Sequence, residues 1–151
     1  MIGNPQVFQL NEIICGVANF DFVKDMISNS IRSQHKVPRD SSLEMILQQK
    51  SFYPVLPSSV SSEDGDKIEK TIAVDYRKLS HLHLGAIPDI IITNSKINPF
   101  VRKVGSTVFI NPSSLFRENN PGHFAKITSY PPNVIRIIFY LILEFGRFRC
   151  Y

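Results

Sequence analysis

The chain has 151 residues, 43% of them hydrophobic and 20% charged, which is enough for one domain with a real core and argues against a disordered polypeptide. Its net charge of +4 is uneven: residues 1–95 hold 9 Lys/Arg against 11 Asp/Glu, and residues 96–151 hold 8 against 2. The later cations Arg102, Lys103, Arg117, Lys126, Arg136, Arg147 and Arg149 are scattered and lack interleaved aromatics, which weighs against a dedicated nucleic-acid-binding module.

The most apolar run, Ile137–Leu143, is seven residues long between Arg136 and Glu144, whereas a membrane-crossing helix needs about 20. Cys15 and Cys150 lie near opposite ends, and Met1 leads into no basic and apolar leader. No Asn-x-Ser/Thr acceptor occurs. These features fit a reducing, intracellular compartment, with Cys15 as a small core residue.

In chain order, Val7–Leu10 and Glu12–Val17 read as short strands. Asn19 is a plausible cap for a helix at about 20–31, in which Val23, Met26, Ile27 and Ile31 recur at helical spacing. The polar stretch 33–39 reads as a loop. Ser41-Ser42-Leu43-Glu44 has the form of a capping box, in which each side chain satisfies the other residue's amide. It would open a second helix at about 42–50, with Leu43, Ile46 and Leu47 on one face, and Pro54 and Pro57 prevent its continuation. Residues 58–70 read as a Ser-rich, acidic surface loop whose serines ahead of acids suit an acid-directed kinase, a pattern that is also common by chance.

Three strands are expected next: Asp89–Thr93 as a continuous apolar run of a central strand, then Thr107–Ile110, then the alternating His123–Ser129. Asn111-Pro112 and Asn120-Pro121-Gly122 mark turns. Val134–Leu143 admits either a strand, from its Ile, Phe and Tyr content, or a helix, from its length. The sketch is a mixed α/β domain.

His81-x-His83 is the only pair with metal-ligand spacing, since residues i and i+2 of a strand share a face. Two ligands do not make a hydrolytic site, and Asp75 and Asp89 are the carboxylates at hand. The alternative is that both histidines decorate an exposed edge or loop. There is no Gly-x-Ser-x-Gly elbow, phosphate-cradling glycine loop or Cys-x-x-Cys. A helix start at Ser41 could attract an anion, but Glu44 competes for the same amides. The metallophosphoesterase vocabulary (Asp-x-His, Gly-Asp-x-x-Asp, Gly-Asn-His-Glu/Asp and Gly-His-x-His) is absent. No catalytic or metal-binding residue is therefore assigned, and no cofactor.

Several motifs nonetheless follow one another in a recognisable order. Ile46–Pro57 contains Phe52-Tyr53-Pro54-Val55-Leu56-Pro57, and Ala73-Val74-Asp75-Tyr76 follows the acidic loop. Pro88-Asp89 opens an aliphatic strand that ends in Thr93-Asn94-Ser95-Lys96-Ile97-Asn98-Pro99-Phe100-Val101-Arg102-Lys103. Val108-Phe109-Ile110-Asn111-Pro112 and Gly122-His123-Phe124-Ala125-Lys126-Ile127 complete the set. Over about residues 4–130 the chain resembles the B-subunit family of DNA polymerase alpha–primase, in the C-terminal part of its phosphodiesterase-like domain.

Within that resemblance Phe52, Tyr53, Pro54, Asp75, Tyr76, Pro88, Asp89, Asn111 and Pro112 are signature positions. The stretch after Thr93 is read as the family's turn and its Phe-Val/Ala-Lys helix or turn. Asn94, Ser95 and Ile97 stand where an active metallophosphoesterase has the Gly-His-x-His turn. Ser113 replaces a family glycine, Pro121 alters the second Gly-rich turn, and residues 133–151 form a divergent apolar segment that could supply a final strand.

The resemblance implies part of a calcineurin-like metallophosphoesterase fold, a mixed β-sandwich flanked by helices, which has lost its metal site. It implies a noncatalytic nuclear scaffold that docks on the C-terminal domain of the polymerase catalytic subunit. Primase would join through the complex for primer synthesis, with DNA contact indirect or weak and no membrane. The contact residues are unknown. The rival expectation is an active metal-dependent phosphodiesterase, completed by His81, His83 and Asp89 with ligands upstream. A part of a larger domain should leave strand edges and one sheet face uncovered, which invites aggregation and a poorly soluble or loosely packed chain.

Overall fold

The computed structural model describes residues 3–29, 39–55, 74–113, 116–117, 120–130, 134–143 and 147–150. Strands β1 (Gln6–Leu10) and β2 (Ile13–Ala18) form a hairpin that leads into helices α1 (Phe22–Asn29) and α2 (Arg39–Gln48). A 3-10 turn, Tyr76–Leu82, precedes β3 (Ile90–Thr93), β4 (Phe100–Val104) and β5 (Thr107–Asn111). The short β6 (Phe116–Arg117) and β7 (Asn120–Pro121) pair with each other. A second sheet holds β8 (His123–Tyr130), β9 (Val134–Leu143) and β10 (Arg147–Cys150), in the order β10-β9-β8.

The main sheet runs β1-β2-β3-β5-β4. Its three inner strands, β2, β3 and β5, are parallel, and each outer strand is the antiparallel arm of a hairpin. Strand β3 is central because its unbroken apolar run suits burial on both faces. Ile91 and Phe109 join Phe22, Val23, Met26, Leu43, Ile46, Phe52 and Tyr53 on the helical face. Cys15, Ile90 and Ile110 lie on the other face, packed with Ala125 of β8 and Ile137 of β9. The result is helices on one face of the sheet and a second sheet on the other, a mixed α/β architecture as expected.

Two glycines matter to this arrangement. A Cβ on Gly16 would stand 3.1 Å from Phe52 Cζ and 3.3 Å from Pro88 Cγ, so its absence lets the Phe52 ring lie against β2. Gly105 turns the β4–β5 hairpin at φ +60°, in the left-handed region that glycine enters without a side-chain clash.

Several expectations change. The cap of α1 is Asp21, whose Oδ1 accepts from Lys24 N at 3.2 Å, rather than Asn19. Helix α2 already includes Arg39, so Ser41 lies inside its first turn and cannot cap it. Phe100–Val104 is a strand rather than a helix or turn, because its residues pair one for one with β5 back from the Gly105 hairpin. Val134–Leu143 is a strand, fixed by eight-residue pairing with β8. Asn120-Pro121 forms the short ladder with β6 instead of a turn. The 58–70 loop with its serines lies outside the described residues.

Candidate functional site at the carboxyl ends of the parallel strands

Open α/β sheets place their functional residues beyond the carboxyl ends of the parallel strands, where the connecting loops converge. Here β2, β3 and β5 end at Ala18, Thr93 and Asn111. The chain leaving them brings Asn19 and Asp21, Asn94 and Ser95, and Asn111 and Ser113 together.

Asp21 is the carboxylate of this rim, and both of its oxygens are engaged. Oδ1 accepts from Lys24 N and from the Ser95 hydroxyl, and Oδ2 accepts from Lys96 N at 3.0 Å. Ser95 is fully buried. Its amide donates to Asn111 Oδ1 at 2.9 Å, the same oxygen that accepts from Ser113 N at 3.1 Å. The Asn111 amide nitrogen faces the carbonyls of Ile97 and Asn98, each at 3.4 Å. Asn94 Nδ2 donates to Asn19 Oδ1 at 2.8 Å, and Asn19 N donates to Asn4 Oδ1 at 2.7 Å. Ser113 adopts φ 66°, in the left-handed region, at a cost of about 1 kcal/mol for serine.

The geometry exposes a pattern that the sequence motifs alone concealed. Ala18-Asn19-Phe20-Asp21, where β2 ends, supplies two polar side chains of the rim, Asn19 and Asp21. Asn19 faces the β3 turn, while Phe20 packs edge-on to Phe22 and Tyr53 with ring centroids 5.6 and 6.3 Å apart. Beside the rim, on the second-sheet side, lies a cavity of about 440 Å³ whose walls include Val17, Ile92, Ile110, Phe124 and Ala125. Among the described residues, no carboxylate lines it.

The other sequence candidates disperse. His81 is exposed in the 3-10 turn, and His83, also exposed, follows it and bridges to Ser51, so the two do not share a strand face. Asp75 caps that turn by accepting from Arg77 N at 3.1 Å. Its side-chain bond to Arg77 Nε, also 3.1 Å, followed by that backbone bond, holds its carboxyl below the usual range. Asp89 stands at the opposite end of β3 from the rim. Among the described residues, no group of three His, Cys, Asp or Glu could hold a metal ion.

The residues expected from the sequence to be signature positions have visible structural work. Asp89 ties β3 to β2, since Oδ2 accepts from Ile14 N at 2.8 Å and Asp89 N donates to Ile14 O at 2.8 Å. The Asp89 carbonyl accepts from Val108 N on the other side, and the Pro88 carbonyl accepts from Thr107 Oγ1 at 2.7 Å. Phe52 and Tyr53 are buried, and the Tyr53 hydroxyl donates to Asp25 of α1. Pro54 borders a shallow recess with Leu79 and His83. Pro112 lines the rim cavity, whereas the Tyr76 side chain lies outside the described residues. Cys15 is buried in the core as expected, and that burial, then the Asp89 charge, pushes its thiol pKa up.

Comparison with known proteins matches residues 1–102 to the B-subunit family shared by DNA polymerases alpha and epsilon. The B subunit of DNA polymerase alpha from Saccharomyces cerevisiae is 32% identical over 88% of this chain and 22% of its own length. That of Schizosaccharomyces pombe is 30% identical over 85% of this chain and 22% of its own. The chain thus spans about a fifth of the curated relatives it matches. Among solved structures, wild-type Vps29 of Entamoeba histolytica, complexed with Zn²⁺, superposes with a TM-score of 0.49 at 14% identity, over 98% of this chain and 58% of that one.

Proposed function

The chain belongs to the B-subunit family of DNA polymerases alpha and epsilon, and from that premise we propose that it acts as a noncatalytic scaffold within an accessory subunit of DNA polymerase alpha. The observation that carries the noncatalytic part is the closed rim. A hydrolytic metal needs carboxylate and imidazole lone pairs that face an open position. Asp21 has both oxygens committed to Lys24, Ser95 and Lys96, and Phe20, Asn94, Ser95 and Ile97 supply no imidazole. His81, His83 and Asp89 are not assembled into a replacement.

In this reading the domain is a calcineurin-like frame whose metal cradle has become a hydrogen-bonded seam. Asn94, Ser95 and Ile97 are the lost ligand turn, and the signature residues Phe52, Tyr53, Pro88, Asp89 and Asn111 keep the frame in register. The frame offers fixed surfaces to the C-terminal domain of the catalytic subunit, with primase held through the complex for primer synthesis in the nucleus. Contact with DNA is indirect or weak, because the cations are dispersed and Arg102 is shared with Asp40 at 3.7 Å.

Two measurements test the reading, on this chain carried within a full-length B subunit. It should co-purify with the catalytic subunit's C-terminal domain, and it should show no phosphodiesterase turnover with manganese. Stoichiometric manganese, zinc or iron that is lost on His83→Ala would overturn the noncatalytic part. Failure to co-purify would overturn the scaffold part.

A further inference from the structure

The two edges of the main sheet differ in how they are guarded. Strand β4 carries Arg102 and Lys103, both exposed, and charged residues on an edge discourage further strand pairing. Strand β1 reads Gln6-Val7-Phe8-Gln9-Leu10, with no charge along its length and with Leu10 59% exposed.

The direction of its main-chain groups follows from β2. Ile14 spends its N–H on Asp89 Oδ2 and its C=O on Asp89 N, so both groups point toward β3. Ile14 stands opposite Gln9 in the antiparallel β1–β2 ladder. In such a ladder a residue facing away from its partner marks a non-hydrogen-bonded pair, so Gln9 also faces away, out of the sheet. The alternation sends Val7, opposite Gly16, outward as well. Consistent with this, the Val7 carbonyl accepts from the exposed Gln6 side-chain amide at 3.0 Å rather than from β2.

We propose that this edge pairs with the same edge of a second copy of the chain, antiparallel, about a two-fold axis at Phe8. That register sets Val7 against Gln9 of the other copy and Gln9 against its Val7. Each such pair exchanges both N–H···O bonds, giving four in all. The two Phe8 residues meet across the axis in the closer, non-hydrogen-bonded position, where aromatic pairs are favourable. Leu10 meets Gln6, so no like charges oppose each other, as they would between two β4 edges. Five residues a side make a small interface, so a weak dimer is expected. This inference does not depend on the proposed function.

The test is the oligomeric state of the 151-residue chain by sedimentation between about 10 μM and about 1 mM, the range in which a weak dimer titrates. A monomer–dimer equilibrium is expected. Amide exchange at Val7 and Gln9 should slow with concentration, while that at Phe8, which faces β2, should not. Gln9→Pro removes the outward N–H from each copy and no bond to β2, so it should fold and weaken association by roughly tenfold or more. The unchanged far-ultraviolet spectrum and thermal transition of that variant separate lost pairing from lost folding. A chain that stays monomeric throughout, or a dimer unaffected by Gln9→Pro in a variant that folds, overturns the proposal.

Discussion

Asp21 does three jobs with one side chain: it caps α1, anchors the Ser95 hydroxyl and fixes the Lys96 amide. Cap loss costs about 1 kcal/mol, and each charge-assisted bond to a partner left in place adds a comparable amount. Asp21→Ala is therefore expected to destabilise the chain by about 2–3 kcal/mol in urea unfolding. Asp21→Asn, which keeps one acceptor oxygen, should lose about half as much. A merely exposed aspartate would show neither loss. The same residue illustrates what a motif search overlooks. Its partners Ser95 and Lys96 lie 74 and 75 positions away and come within reach only because β2 and β3 end side by side.

At the level of elements, the contact between Gly16 of β2 and the Phe52 ring is tight enough to be diagnostic. A methyl group at Gly16 meets ring carbons at 3.1 and 3.3 Å, so Gly16→Ala should cost about 1–3 kcal/mol by overpacking. Shrinking the ring should relieve it. In a double-mutant cycle with Phe52→Leu, the combined loss should fall short of the sum by more than about 0.5 kcal/mol.

The elements legible in the sequence are those whose periodicity is local. Val23, Met26 and Ile27 announce α1, and the run at Ile90–Ile92 announces a central strand. Strand β4 escapes such a reading because Arg102 and Lys103 interrupt the apolar alternation of an edge that is only half covered. The cap of α1 falls two residues beyond the expected one because Asn19 and Asp21 are both good caps, and only the helix's actual start separates them. The rim is legible as an absence of ligands. Its positive content, the bonds of Ser95 and Asn111, is not, because these join residues 16 and 74 positions apart and follow no spacing rule.

On the scale of the whole molecule, helices cover one face of a five-stranded sheet and a second sheet covers the other. The centre of that assembly is held by two aspartates reaching in opposite directions. Asp89 reaches from β3 to Ile14, and Asp21 reaches from beyond β2 to the β3 turn; the residues joined lie 74 or 75 positions apart. That separation has a consequence for the order of folding. The β1–β2, β4–β5 and β8–β9 hairpins need only local encounters, whereas the parallel β2–β3 pair must first close the long intervening loop. If the two clasps engage only after that closure, they are absent from the folding transition state. Asp21→Ala and Asp89→Ala should then accelerate unfolding in stopped-flow experiments while leaving the refolding rate nearly unchanged.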